Sequence, residues 1–164
     1  MKNDRLFVGV LGHQNSGKSE TWNRLFGKTV RRGRNSRPLT VGNRECADVF
    51  VVSGSFEERG EYAGDVLSDQ TARIILCSIQ YNDDSWQTLK YAHESGFDVF
   101  VQWLNPGYSD KSMYFDRIGY CQRLLATEVT LSIRDGTINP TKRVEEIRAF
   151  ILGWARQRSL TYAC

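Results

Sequence analysis

The chain is poor in the residues that build metal centres and covalent-catalytic sites. Its 164 residues include two histidines, His13 and His93, and four cysteines, Cys46, Cys77, Cys121 and Cys164. The cysteines are widely spaced and form no C-x-x-C pair, which excludes a zinc knuckle and a dense disulfide framework. Thiols so arranged are expected to be reduced, as in a cytosol. Cys77 sits in an apolar run and reads as core packing. Neither histidine has neighbours that suggest a nucleophilic triad. No apolar stretch approaches the length of a transmembrane helix. Met1-Lys2-Asn3-Asp4-Arg5 leads into only six apolar-type residues, too few for a signal peptide. Repeats and low-complexity segments are missing too. The net charge of +3 is too small to imply a nucleic-acid partner by itself. The expectation is one cytoplasmic domain spanning residues 1–164, long enough to bury a core without staples.

Strand-like and helix-like runs alternate along the chain. That alternation predicts an α/β fold, a three-layer sandwich with a mainly parallel central sheet flanked by helices. Strands are expected at 6–11, 39–41, 47–52, 72–79, 97–104 and 129–133, the last being the final strand. The second and third are expected to pair through a turn containing Gly42-Asn43. Helices are expected at 20–26, with Gly27 as the stop, at 62–69, from 85 to about 95, over much of 109–126, and after Asn139-Pro140 with proline in the first position. Asp84 and Gln87 read as a capping box for the third helix. Trp86, Trp103 and Trp154 fall where core packing explains them. Val144, Ile147, Phe150, Ile151 and Trp154 make the apolar stripe of the last helix.

The most informative segment follows the first strand. Gly12-His13-Gln14-Asn15-Ser16-Gly17-Lys18-Ser19 fits G-x-x-x-x-G-K-[ST] between an apolar strand and a helix, which is the context the pattern requires. Glycines let the backbone turn so that its N–H groups converge on phosphate oxygens, and the helix start adds positive character. Lys18 is suited to the β- and γ-phosphates, and the Ser19 hydroxyl to Mg²⁺. Glu20, next in line, reads as an acidic residue in a helix's first turn.

These residues resemble the P-loop NTPase superfamily. Asn15 to Ser19, followed by Asn23-Arg24-Leu25-Phe26-Gly27, is similar to the translation-factor-type GTPases, many of which read N-x-G-K-S and then N-x-L-x-G. The resemblance implies ATP or GTP as ligand with Mg²⁺, bound by residues 12–20. It departs in two places. Ser53 stands where GTPases carry the metal-holding aspartate of D-x-x-G. Asn105-Pro106-Gly107-Tyr108 stands where Asn-Lys-x-Asp would read guanine; Asn105 matches, and the only nearby carboxylate is Asp110.

A carboxylate for metal or base work must then come from elsewhere. Glu57, Glu58 and Glu61 follow the third strand, on the side where such sheets bind ligands; Glu57 and Glu58 are the catalytic candidates beside Lys18. Asp83 is a second metal candidate. Lys28, Arg31, Arg32, Arg34 and Arg37 crowd one loop, suited to transition-state charge, an acceptor, a protein partner or a nucleic-acid backbone, or simply to solvent. The leading expectation is a Mg-dependent NTPase or GTPase-like switch. Alternatives are a small P-loop kinase, with Lys111, Arg117 and Arg123 as lid cations and Asp135-Gly136-Thr137 resembling kinase C-termini, and a nucleotide-binding module without turnover.

Overall fold

The computed structural model describes residues 4–107 and 116–164. β1 (Leu6–Gly12) is wholly buried along its length. It pairs in parallel with β4 (Ile74–Gln80) on one side and with β5 (Asp98–Leu104) on the other. The full order is β2-β3-β4-β1-β5-β6, with β2 (Arg37–Gly42), β3 (Glu45–Val52) and β6 (Thr130–Arg134) completing the path. Strands β3, β4, β1, β5 and β6 run parallel, while β2 is antiparallel to β3. A strand flanked on both edges and covered on both faces must be apolar throughout, and Leu6-Phe7-Val8-Gly9-Val10-Leu11 is.

Side-chain alternation along β1 feeds two cores. Leu6, Val8 and Val10 face α1 (Lys18–Phe26) and α5 (Thr141–Arg156), where they meet Trp22, Leu25, Val144, Ile147 and Ile151. Phe7 and Leu11 face the side covered by α2 (Ala63–Leu67), α3 (Trp86–Glu94) and α4 (Tyr120–Leu125), in a cluster that includes Leu67, Leu89 and Leu124. The result is a mostly parallel mixed sheet with helices on both faces.

Several expectations need correction. β6 is not the last strand: β7 (Thr161–Ala163) returns to pair antiparallel with β3, Cys46 opposite Tyr162. That pairing brings Cys164 to Cys46, and the two form a disulfide across 118 residues of sequence. The expectation of four reduced thiols therefore fails; Cys77 and Cys121 remain free. Cys77 is core, and burial pushes its thiol far above the usual cysteine range. Asp84 does not cap α3. Ser85 holds that position, and its N–H donates to the Asn82 side chain at 2.9 Å, because the chain is already turning helically at Ser85. Pro140 is the N-cap of α5 and not its first residue; Asn139 accepts from the Thr141 N–H at 2.9 Å. The expected helix at 109–126 is described only from residue 116, where Tyr120–Leu125 is helical. Of the tryptophans, Trp103 and Trp154 are buried as expected, while Trp86 packs partly exposed at the edge of its cluster.

The disulfide yields a prediction. Cys164→Ser should lower stability by about 2–4 kcal/mol, or roughly 5–15 °C in melting temperature, by releasing the closed loop. Thermal melts with and without dithiothreitol check it: the reductant should lower the wild-type midpoint and leave the variant's unchanged.

Candidate functional site

At the carboxyl end of β1 the chain leaves the sheet in a tight loop. The Ser16 N–H bonds back to the His13 carbonyl at 3.1 Å, Asn15 takes a left-handed conformation at φ 59°, and Gly17 one at φ 104°. A side chain at residue 17 would be strained there, which accounts for glycine at that position. Gly17 is also the N-cap of α1, so no side chain caps that helix. The first N–H groups of a helix have no intrahelical acceptor. Here they belong to residues lining a cavity of about 410 Å³, formed by residues 14–20 together with Ser53 and Glu58.

Lys18 is the centre of this arrangement. Its side chain is buried and folds back over the loop, donating to the Gly12 carbonyl at 3.0 Å, the His13 carbonyl at 2.7 Å and the Gln80 Oε1 at 3.2 Å. Burial lowers its pKa, and the nearby Glu58 and Glu57 carboxylates oppose that shift. Ser19 and Glu20 are exposed at the mouth, and Ser16 is fully buried, its hydroxyl without a hydrogen-bond partner among the described residues.

The three candidate glutamates have different surroundings. Glu57 accepts from the Thr88 hydroxyl at 2.7 Å and from the Gln80 N–H at 3.4 Å, so it braces β4 against α3. Glu58 lines the cavity. Glu61 is paired with Arg32 at 2.5 Å. The geometry thus separates the two catalytic candidates: Glu58 faces the space beside Lys18, and Glu57 holds the strand end that Lys18 touches.

Other predicted residues lie elsewhere. His13 is half-buried, edge-on to Tyr81 at 4.8 Å. His93 is exposed in the last turn of α3. Asp83 is at 3.5 Å from Arg123, which also lies over the Trp86 ring, and Arg117 lies over Tyr81. Asp83, Arg117 and Arg123 do not line the cavity, nor do Lys28, Arg31, Arg32, Arg34 and Arg37. Asn105 is buried at the end of β5, its N–H on the Arg134 carbonyl at 3.0 Å. Tyr108, Asp110 and Lys111 fall outside the described residues.

Three supporting features were not read from the sequence. Gln80, in register with Gly12 across the β1–β4 pair, is the side chain that Lys18 reaches. Trp22 on α1 donates to the Ser78 hydroxyl at 2.8 Å, and Ser78 donates to the Ser53 carbonyl at 2.7 Å, tying α1, β4 and the end of β3 together. Gly136 lies so close to the loop that a Cβ there would stand 2.5 Å from the Ser16 carbonyl oxygen. Only the strand-end position of Gln80 left a trace in the sequence, and using it requires knowing which strand neighbours β1.

Compared with known proteins, the chain matches no family model, no curated protein and no solved structure. What the site can do follows from its own groups. An uncapped helix start, a buried ammonium and an exposed hydroxyl around one polar cavity suit an anion with several oxygens.

Gly136→Ala tests the packing of the loop. A backbone oxygen cannot yield as a side-chain end can, so the variant should lose about 1–3 kcal/mol of stability in urea unfolding. An unchanged midpoint would contradict the close approach.

Proposed function

We propose that the chain binds a nucleoside triphosphate, ATP or GTP, at residues 12–20 and hydrolyses it with Mg²⁺. The observation that carries this reading is the uncapped start of α1 at Gly17, with the buried Lys18 ammonium closing the loop behind it. Converging amides and one ammonium form a receptor for polyphosphate oxygens. Lys18 can exchange its bonds to loop carbonyls for bonds to β- and γ-phosphate oxygens. The P-loop resemblance supports the same assignment.

The donors present fit Mg²⁺. The cation prefers oxygen and is commonly held by one or two protein groups together with substrate phosphates. The Ser19 hydroxyl would hold it, with Glu58 in the same cavity as a second oxygen donor or as base. Bound there, the ion would neutralise charge on the phosphate oxygens. In the hydrolytic step Glu58 takes a proton from water as the water oxygen bonds to the γ-phosphorus. The bond from that phosphorus to the β–γ bridging oxygen breaks, leaving the diphosphate and inorganic phosphate. Lys18 stabilises the charge on the transferring group.

A second reading, phosphoryl transfer to an acceptor, is favoured by one observation. The GTPase comparison looks to the strand before Ser53 for its carboxylate, but that strand, β3, is not beside β1; β4 stands between them. Ser53 and Glu58 line the cavity together with the glycine loop, and an acceptor entering from the β3 side would meet them first. A binding module without turnover has no comparable support.

Two variants test the proposal together. Lys18→Ala should weaken triphosphate binding by about 2–5 kcal/mol, read as loss of the thermal shift given by ATP or GTP with Mg²⁺. Full retention of affinity would sink the site. Glu58→Gln should keep binding and slow phosphate release by roughly 10²–10⁴-fold, with Glu57→Gln acting mainly on stability. Phosphate release that depends on an added acceptor would select the second reading.

A further inference from the structure

From Arg24 to Arg37 the chain carries six cations (Arg24, Lys28, Arg31, Arg32, Arg34 and Arg37) and no carboxylate. The chain's overall charge is +3, so everything outside this stretch sums to −3. The basic character of the protein is therefore local. The stretch covers the last turn of α1 and the irregular segment leading into β2.

The segment is held so that its cations face outward. Val30 is buried in the core, and its N–H donates to the Asn23 side chain at 2.8 Å. Arg32 is pinned to Glu61, and Arg37 donates to the Arg31 carbonyl at 2.8 Å. These anchors leave Arg24, Lys28, Arg31 and Arg34 exposed, and among the described residues none of the four has a carboxylate within ion-pair distance. Arg24 and Lys28 also line a groove of about 380 Å³ along α1. Four exposed cations between residues 24 and 34, with no ion-pair partner among the described residues, repel one another, and an anionic partner would relieve that repulsion.

We infer that this surface binds the phosphate backbone of double-stranded nucleic acid without regard to sequence. Three features select that partner. Five of the six cations are arginine, whose planar guanidinium matches phosphate oxygens. The stretch presents no exposed large apolar side chain: Val30 and Leu25 are buried, and Phe26 packs against the core. It thus lacks the anchor that a protein interface or a membrane-inserting face needs. The one aromatic residue among the cations, Phe26, packs against the core, so base stacking on single strands is not provided for. None of the six cations lines the triphosphate cavity, although Glu20 borders both that cavity and the groove beside Arg24 and Lys28.

The experiment is fluorescence anisotropy with a labelled random-sequence 24-base-pair duplex, measured from 50 to 200 mM salt. Binding should be present at 50 mM and fall with salt, log K against log [salt] having a slope of about −3 to −4 for four phosphate contacts. The K28E/R31E/R34E variant should bind at least tenfold more weakly, and R31A/R34A should fall between it and wild type. Both variants should melt within a few degrees of wild type and keep their affinity for a fluorescent triphosphate analogue within twofold. Duplex binding undiminished in the folded variants, or no binding at 50 mM salt, would overturn the inference. Co-sedimentation with phosphatidylserine vesicles in place of duplex binding would overturn it as well. Because triphosphate affinity is read separately, failure here leaves the cavity assignment standing, and the reverse also holds.

Discussion

Everything at the candidate site hangs on the burial of β1. It is enclosed by strands on both edges and by helices on both faces, and each of its residues is buried. A strand so confined cannot slide or tilt, because a shift of one residue would exchange its two apolar faces. The loop that leaves its carboxyl end inherits that fixed origin. Lys18 then closes the loop against Gln80 on the neighbouring strand, and the Trp22–Ser78–Ser53 chain sets how α1 sits over the sheet. The cavity is a consequence of these constraints, and its exposed residues, Gln14, Asn15, Ser19 and Glu20, lie at the mouth.

The same frame separates the polar groups by task. Glu57, Ser78 and Gln80 spend their hydrogen bonds on structure, whereas Ser19, Glu58 and the start of α1 face open space. A buried polar group with its partners in place holds geometry; a group at a cavity wall is available to a ligand. On the other face of the sheet the aromatic side chains Tyr81, Trp103 and Tyr120 pack together, with Tyr81 stacked on Trp103 at 5.6 Å. Burial and the hydrogen bond to Asp116 push the Tyr81 hydroxyl up to about 12, so it stays neutral and structural at ordinary pH.

The basic stretch belongs to a different layer of organisation. Its anchors, Val30 in the core, Arg32 on Glu61 and Arg37 on the Arg31 carbonyl, tie it to the fold, while Arg24, Lys28, Arg31 and Arg34 stay exposed, with no ion pair among the described residues. Charge that a protein keeps exposed and unneutralised costs stability through self-repulsion.

Local patterns were enough to read much of this protein. The apolar run at residues 6–11, the glycine segment after it and the stop at Gly27 each follow from backbone and side-chain preferences that act within a few residues. The β2–β3 hairpin, α3 and the stripe of α5 are legible for the same reason. What tertiary structure alone decided lies between residues far apart in the chain. The interposition of β4 between β3 and β1, the return of β7 to β3 with its Cys46–Cys164 bond, and the seating of Gly136 on the glycine loop are all of this kind. So is the difference between Glu57 and Glu58, adjacent residues sent to opposite tasks by which one meets Thr88 and Gln80. Periodicity records which face of an element is buried; it carries no record of which distant element does the burying.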